Sequence, residues 1–189
     1  MSDPMTQETV CEFAMQNETD LRTAILVAEA VPDLKRQIVS TFLQELKDTL
    51  VGELGKGWEI TEQIPDFFGE RWAGFAIWKT AWDEKFLINL EGQNFGRETI
   101  LGVWRDRDRL KREPNPQVLE KFRVAKWPGR PNRWWEWYVR IPASFGNLNE
   151  ADALANLRFN RPKALSYLKQ GMLRAATIAE PLIDRMSKE

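Results

Sequence analysis

Residues 71–104 read RWAGFAIWKTAWDEKFLINLEGQNFGRETILGVW. Three segments of this stretch are rich in apolar residues and typical of strands: Arg71–Lys79, Phe86–Glu91 and Glu98–Trp104. A turn over Trp82–Lys85 separates the first two, and Trp58–Gln63 ahead of them alternates apolar and polar side chains. Strands that follow one another through short turns pair antiparallel. The sequence therefore predicts a four-stranded antiparallel meander between residues 58 and 104.

A fifth strand is predicted over Arg133–Ile141, which reads RWWEWYVRI and ends at Pro142. Before it, the proline- and glycine-containing stretch Lys126–Asn132 is typical of a loop. Regular alternation along the strand places Trp135 and Trp137 on the same face of the sheet.

The N-terminal part of the chain favours helices. Apolar residues recur at helical spacing from 34 to 54 and predict one helix there. An earlier helix is expected to begin near Asp20, capped by Asn17 or Thr19, and Pro32 is expected to separate the two helices. Prolines at 114 and 116 predict the start of a further short helix.

The C-terminal stretch 163–186 predicts a long helix. Its apolar residues follow a heptad pattern: Leu165, Leu168, Met172, Ala175, Ala179, Leu182 and Met186. Pro181 is expected to kink or end this helix. The seam has two interpretations, a helix packed on the domain's own sheet or a helix that forms a homodimer.

These patterns together predict an α+β fold. We expect a Trp-rich antiparallel sheet of four to five strands, flanked by N-terminal helices and a long C-terminal helix. Residues 1–19 are weakly patterned and are expected to form a mobile segment with at most one short helix over Glu8–Gln16. Residues 20–189 are expected to form a single domain.

Composition excludes several kinds of enzyme. The 189 residues contain no histidine and one cysteine, Cys11. A Ser-His-Asp or Cys-His nucleophile system, an HExxH zinc site, a disulfide within the chain and a Cys-rich metal site are therefore excluded. Carboxylate, lysine or hydroxyl chemistry remains possible.

Charge is unevenly distributed, although the formal net charge is only −1. Residues 1–69 contain 5 Lys or Arg against 13 Asp or Glu, whereas residues 105–140 contain 11 against 5. The basic part favours an anionic partner, unless the two parts offset each other within the fold. No apolar run approaches the roughly 18 residues that span a bilayer, and the polar N-terminus is unlike a signal peptide. We expect no membrane partner and a cytoplasmic location.

Tryptophan is concentrated in the predicted sheet and beside the positive charge. Seven of the nine tryptophans lie between residues 78 and 137, and the strands place tryptophan on both faces. Either helices cover both faces, or one aromatic face is left uncovered as an interaction surface.

Cationic and aromatic residues interleave from Lys121 to Arg140, which is typical of surfaces that hold single-stranded nucleic acid. The candidate binding residues are Arg123, Lys126, Trp127, Arg130, Arg133, Trp135, Trp137 and Arg140. The leading hypothesis is a non-catalytic accessory protein of prokaryotic or phage type that docks onto a protein or nucleoprotein complex. A single-stranded nucleic-acid-binding protein is an alternative.

A second alternative uses carboxylates and a metal, because Mg²⁺ prefers oxygen ligands. Pro65-Asp66 precedes Glu91-Gly92-Gln93 within the predicted helix–strand–helix–strand order of residues 34–141, which resembles the core of the PD-(D/E)xK nuclease superfamily. Trp72–Glu91 also resembles the uncharacterised domain that follows such cores in bacterial proteins. The resemblance implies a metal-dependent nuclease or its inactive descendant, with Asp66 and Glu91 as Mg²⁺ ligands and Gln93 standing where the family has its catalytic lysine. No other cofactor or metal is expected.

Overall fold

The computed structural model describes residues 4–188 and contains one antiparallel sheet of six strands. The strands are β1 (Trp58–Ile60), β2 (Trp72–Lys79), β3 (Phe86–Gln93), β4 (Glu98–Arg105), β5 (Arg130–Asn132) and β6 (Trp135–Arg140). Their order is β1-β2-β3-β4-β6-β5, so each of the first four pairs with its neighbour in the chain. The α+β class and the meander are confirmed.

The sheet has one strand more than expected. Strand β5 forms inside the stretch that resembled a loop, where Arg130 pairs with Tyr138 and Asn132 with Trp135. Pro131 is tolerated because β5 is the edge of the sheet, where a missing N–H breaks no ladder.

Helices occupy both ends of the chain and the connections between strands. They are α1 (Pro4–Ala14), α2 (Glu18–Val51), α3 (Arg107–Leu110), α4 (Pro116–Val124), α5 (Ala143–Gly146), α6 (Ala151–Phe159) and α7 (Arg161–Met186). A short 3-10 turn, Thr80–Trp82, links β2 to β3. None of the described helices is both long and apolar enough to cross a membrane.

Helix α2 is continuous through Pro32, so the expected break there is wrong. Its start is as predicted, since the Asn17 side chain accepts a hydrogen bond from the Asp20 amide. Proline removes one backbone bond, to the carbonyl of Ala28. That turn of the helix is exposed, so water can bond the freed carbonyl.

Helix α1 replaces the short helix expected over Glu8–Gln16 and begins four residues earlier. Residues 1–3 and 189 lie outside the described part of the chain. The mobility of residues 1–19 stays a prediction.

Helix α7 lies across β3 and β4, while α4 packs on β6 and α2 packs against α6 and α7. All seven residues of the heptad seam are buried in the domain's own core. The interpretation that this helix packs on the domain's own sheet is therefore correct. The heptad seam of residues 163–186 is not exposed for a homodimer. Pro181 lies within the helix, which continues to Met186.

Helices α4 and α7 pack on one side of the sheet, where Phe122 stacks on Trp137 and Gly171 lies against Leu101. We call this side the packed face, and it carries Phe75 and Ile77 of β2, Ile88 and Leu90 of β3, and Val103 of β4. The register places every alternate residue on the other side, which we call the open face.

Candidate functional site

The open face comprises alternate residues from Trp72 to Trp78, from Leu87 to Gln93 and from Glu98 to Trp104, with Trp135, Tyr138 and Arg140 of β6. Five of these are buried, and none belongs to the main hydrophobic core: Ala76, Asn89, Ile100, Gly102 and Trp135. Trp78, at one end of the open face, packs against that core.

A β-bulge decides which tryptophans reach this face. Trp104 pairs with Trp135 and Val103 with Trp137, so Glu136 is the extra residue on β6. The bulge turns Trp135 to the open face and Trp137 to the packed face. The expectation that both share one face is wrong, because it assumed unbroken alternation.

The centre of the open face is polar and is flanked by small residues. Asn89 and Glu91 of β3 lie side by side there, and three of their four cross-strand neighbours are Gly74, Ala76 and Gly102. A Cβ atom added at Gly74 would come within 2.8 Å of the Asn89 Oδ1 atom. The Asn89 amide therefore occupies the space above Gly74 that a larger side chain would take.

Two oxygen acceptors at this centre lack strong partners. Asn89 is only 5% exposed, and its Oδ1 atom has no hydrogen-bond donor among the described residues. Burial raises the pKa of the Glu91 carboxyl, although a hydrogen bond from Gln93 Nε2 at 3.0 Å opposes this effect. No ion pair of Glu91 with Lys or Arg occurs within residues 7–188.

Arginines lie on aromatic rings around the sheet. The guanidinium carbon of Arg71 is 4.6 Å from the centre of the Trp72 ring, and that of Arg130 is 5.2 Å from Tyr138. At the β5–β6 turn, Arg107 and Arg133 both lie over Trp134, at 5.5 and 5.4 Å. We call these four arginines and three rings the arginine–aromatic rim. Such cation–π pairs hold a charged group beside a flat apolar surface.

The structure divides the eight predicted binding residues into three groups. Arg130 and Arg133 belong to the rim, and Arg140 projects from the open face, where it pairs with Glu98. Trp135 and Trp137 are buried, at 2% and 0% exposure. These two tryptophans cannot contact a partner in this fold, which corrects their assignment to an exposed face.

The third group lies at the end of α4. Trp137 stacks on Phe122 with ring centres 3.7 Å apart, and Trp127 packs edge-on against the same indole. Arg123 forms an ion pair with Glu120 of its own helix, while Lys126 is exposed. Since Phe122 packs on the packed face, Arg123, Lys126 and Trp127 are not part of the open face.

The carboxylates of the nuclease alternative are not brought together. Asp66 lies on the helix side, where its carboxylate forms an ion pair with Arg36 of α2 at 3.3 Å. Burial would raise the pKa of Asp66, but hydrogen bonds from the Phe68 and Gly69 amides and the charge of Arg36 lower it. Phe67 packs against Gly92 from this same side, whereas Glu91 and Gln93 project from the open face.

A shared Mg²⁺ ion does not fit this arrangement, because its ligands must meet within about 2.1 Å of one point. Within the described part of the chain, no group of three or more acidic, histidine or cysteine side chains could hold a metal ion.

Sequence reasoning missed the residues that shape the open face: Arg71, Trp72, Gly74, Asn89, Gly102 and Arg107. The sequence contains a signal for these residues, since Gly74 and Ala76 of β2 and Gly102 of β4 are small residues in strands that otherwise carry many bulky ones. The signal becomes informative only with the register, which sets those residues beside Asn89 and Glu91.

Comparisons with protein-family models, with curated proteins and with solved structures find no match to this chain. The fold and the open face therefore carry the argument about function on their own.

Proposed function

We propose that this chain is a non-catalytic accessory protein that docks onto a nucleoprotein complex through the open face and its arginine–aromatic rim. The observation that carries the proposal is the pair Arg107 and Arg133, whose guanidinium groups both lie over Trp134 at the β5–β6 turn. Stacking surfaces next to cations are what single-stranded nucleic acid needs, since bases stack and phosphates pair with the cations.

Charge on the rim supports a nucleic-acid component over a protein-only partner. Neither Arg130 nor Arg133 forms an ion pair with a carboxylate of the described residues, so both guanidinium groups are available to phosphate. The acidic excess of the chain lies in residues 1–69, whose long helix α2 packs on the helical side of the molecule. The small net charge therefore does not oppose binding at the rim.

The test is fluorescence anisotropy with a labelled 12-nucleotide single strand of mixed sequence, as DNA and as RNA, at 50 and 300 mM salt. We expect binding that weakens steeply with salt, and a matched duplex that binds less well. The double variant Arg130→Glu/Arg133→Glu should lose at least tenfold in affinity and show a shallower salt dependence.

The control is Arg158→Glu/Lys163→Glu, which changes the charge equally at exposed positions of α6 and α7. It should bind as the wild type does. Absence of binding at 50 mM salt, or an equal loss in the control, would contradict the proposal.

A further inference from the structure

The open face also contains a site suited to one particular nucleobase. Glu91 lies between Gly74 of β2 and Ile100 of β4, and Trp72 is its diagonal neighbour across Gly74. Trp72 is 60% exposed and carries Arg71 on its ring. A half-buried carboxylate, an exposed indole and a cation thus occupy neighbouring positions of β2 and β3.

The chemistry of this site calls for a ligand that donates hydrogen bonds. The Glu91 carboxylate has two acceptor oxygens and receives one described hydrogen bond, from Gln93. Burial of Glu91 without a cation is unfavourable, and a donor-rich ligand would relieve that cost.

Among planar ligands that stack on indole, guanine matches these acceptors best. Its Watson–Crick edge presents N1–H and an N2 amino group side by side, so one carboxylate can accept both in a bidentate pair. Adenine and cytosine each present one amino group next to an acceptor nitrogen, and thymine presents a single N–H between two acceptors. Unpaired bases are read in this way, by stacking and by their Watson–Crick edges.

We propose that this site holds an unpaired guanine, with its N1–H and N2–H groups donating to Glu91 and its ring lying on Trp72. Arg71 is then placed to contact the adjacent phosphate. The inference rests on the proposed function, because it assumes that the open face holds a single strand, and it adds a base preference to sequence-independent binding at the rim.

The experiment compares five labelled 12-mers of oligothymidylate in which one central position is dG, deoxyinosine, dA, dC or dT. We expect the dG strand to bind at least tenfold more tightly than the dT strand. Deoxyinosine lacks the N2 amino group and should bind with intermediate affinity. This comparison uses the wild-type protein and does not depend on the folding of a variant.

Two variants then assign the preference to Glu91. Glu91→Gln keeps the size of the side chain but replaces one acceptor oxygen with a donor, so it should abolish the preference, making the affinities of the dG and dT strands equal. Glu98→Gln makes the same change elsewhere on the open face and should keep the preference.

The outcomes separate the two proposals. If the dT strand binds and all five strands are equal, the guanine site is wrong while the proposed function stands. A preference that survives Glu91→Gln also overturns the site. If no strand binds at low salt, the proposed function itself fails. If a Gly-Ser decapeptide with one central arginine binds the wild type but not Glu91→Gln, the site takes a protein cation and the guanine assignment is wrong.

Discussion

The two faces of the sheet use tryptophan in opposite ways. On the packed side, Trp82 and Trp137 are fully buried; Trp82 packs edge-on against Trp58 and donates to Asp184 of α7 at 2.7 Å. On the open face, Trp78 and Trp104 are half-buried and Trp72 is exposed. The residue type is the same, and what differs is whether a helix lies above it.

This difference teaches that aromatic content does not by itself mark a binding surface. An indole under a helix contributes its apolar area to stability, whereas an indole on an uncovered strand keeps that area for a partner. Three pairs of variants with one member on each face, and a glycine pair that probes the open face against a loop control, test the distinction.

The largest effect is expected from removing an indole from each face. Trp137→Ala leaves a cavity against Phe122 and should lower the free energy of unfolding by about 3–5 kcal/mol. Trp104→Ala removes a half-buried ring of the open face and should cost about 1 kcal/mol. Urea denaturation measures both, and equal losses would mean that the faces are packed alike.

A carboxylate on each face gives the next largest contrast. Glu136 is fully buried beside Arg105, and Arg112 approaches it to 2.8 Å. Glu136→Gln leaves the buried guanidinium uncompensated and should cost about 3 kcal/mol. Glu98→Gln breaks the pair with the largely exposed Arg140 and should cost less than about 1 kcal/mol, as surface pairs do. The same denaturation experiment applies, and a cost of Glu98→Gln as large as that of Glu136→Gln would contradict the difference in burial.

A methyl group added to a glycine probes how closely the strands approach on the open face. A Cβ atom at Gly102 would lie 2.8 Å from the Trp135 ring and would also meet the neighbouring β6 backbone. Gly102→Ala should therefore destabilise the protein by about 2 kcal/mol through overpacking. Gly55→Ala, where the added atom meets nothing within 4 Å, is the matched control and should change stability little. Thermal unfolding of the two variants decides this, with equal melting temperatures as the contrary result.

The smallest effects are the pH dependences of two carboxylates, which should have opposite signs. Burial would raise the pKa of Asp184, but hydrogen bonds from Lys79 and Trp82 lower it overall. Its stabilising contribution is present above the unfolded value of about 3.9 and is lost as pH falls through the lowered value. Burial raises the pKa of Glu91, so the folded protein gains stability as pH falls through that raised value.

Each contribution should be below about 1 kcal/mol, because both groups are partly solvated. Asp184→Asn should make the acid-induced loss of stability smaller. Glu91→Gln should instead remove the gain and stabilise the protein near pH 7. Unfolding free energies between about pH 2 and 7 measure the two slopes, and slopes of the same sign would refute the assignment.

Local patterns predicted most of the fold. The four-strand meander, the Asn17 cap and the long C-terminal helix follow from alternation, capping and heptad spacing, which depend on residues near one another in the chain. The exceptions have local causes as well. Pro32 is accommodated because its turn of the helix is exposed. Strand β5 forms because it can pair with the edge of β6, the strand that follows it in the chain.

The candidate site was predicted only in part. Arg130 and Arg140 reach the open side of the sheet, whereas Arg133 lies at the β5–β6 turn. Trp135 and Trp137 are buried, and Arg123, Lys126 and Trp127 lie at the end of α4. A single extra residue at Glu136 reverses the side of every later position on β6. Such a bulge is set by packing between strands and leaves no clear mark in the pattern of one strand.

The amino-acid sequence by itself determined the elements, the antiparallel meander and the exclusion of histidine- and cysteine-dependent chemistry, because these depend on composition and short-range spacing. Only the tertiary structure decided which face of the sheet the helices cover, which tryptophans are core, and that Asn89, Glu91 and Trp72 share one open surface. Those properties depend on contacts between residues distant in the chain, and the free energy of covering one face is gained only when the helices and the sheet meet.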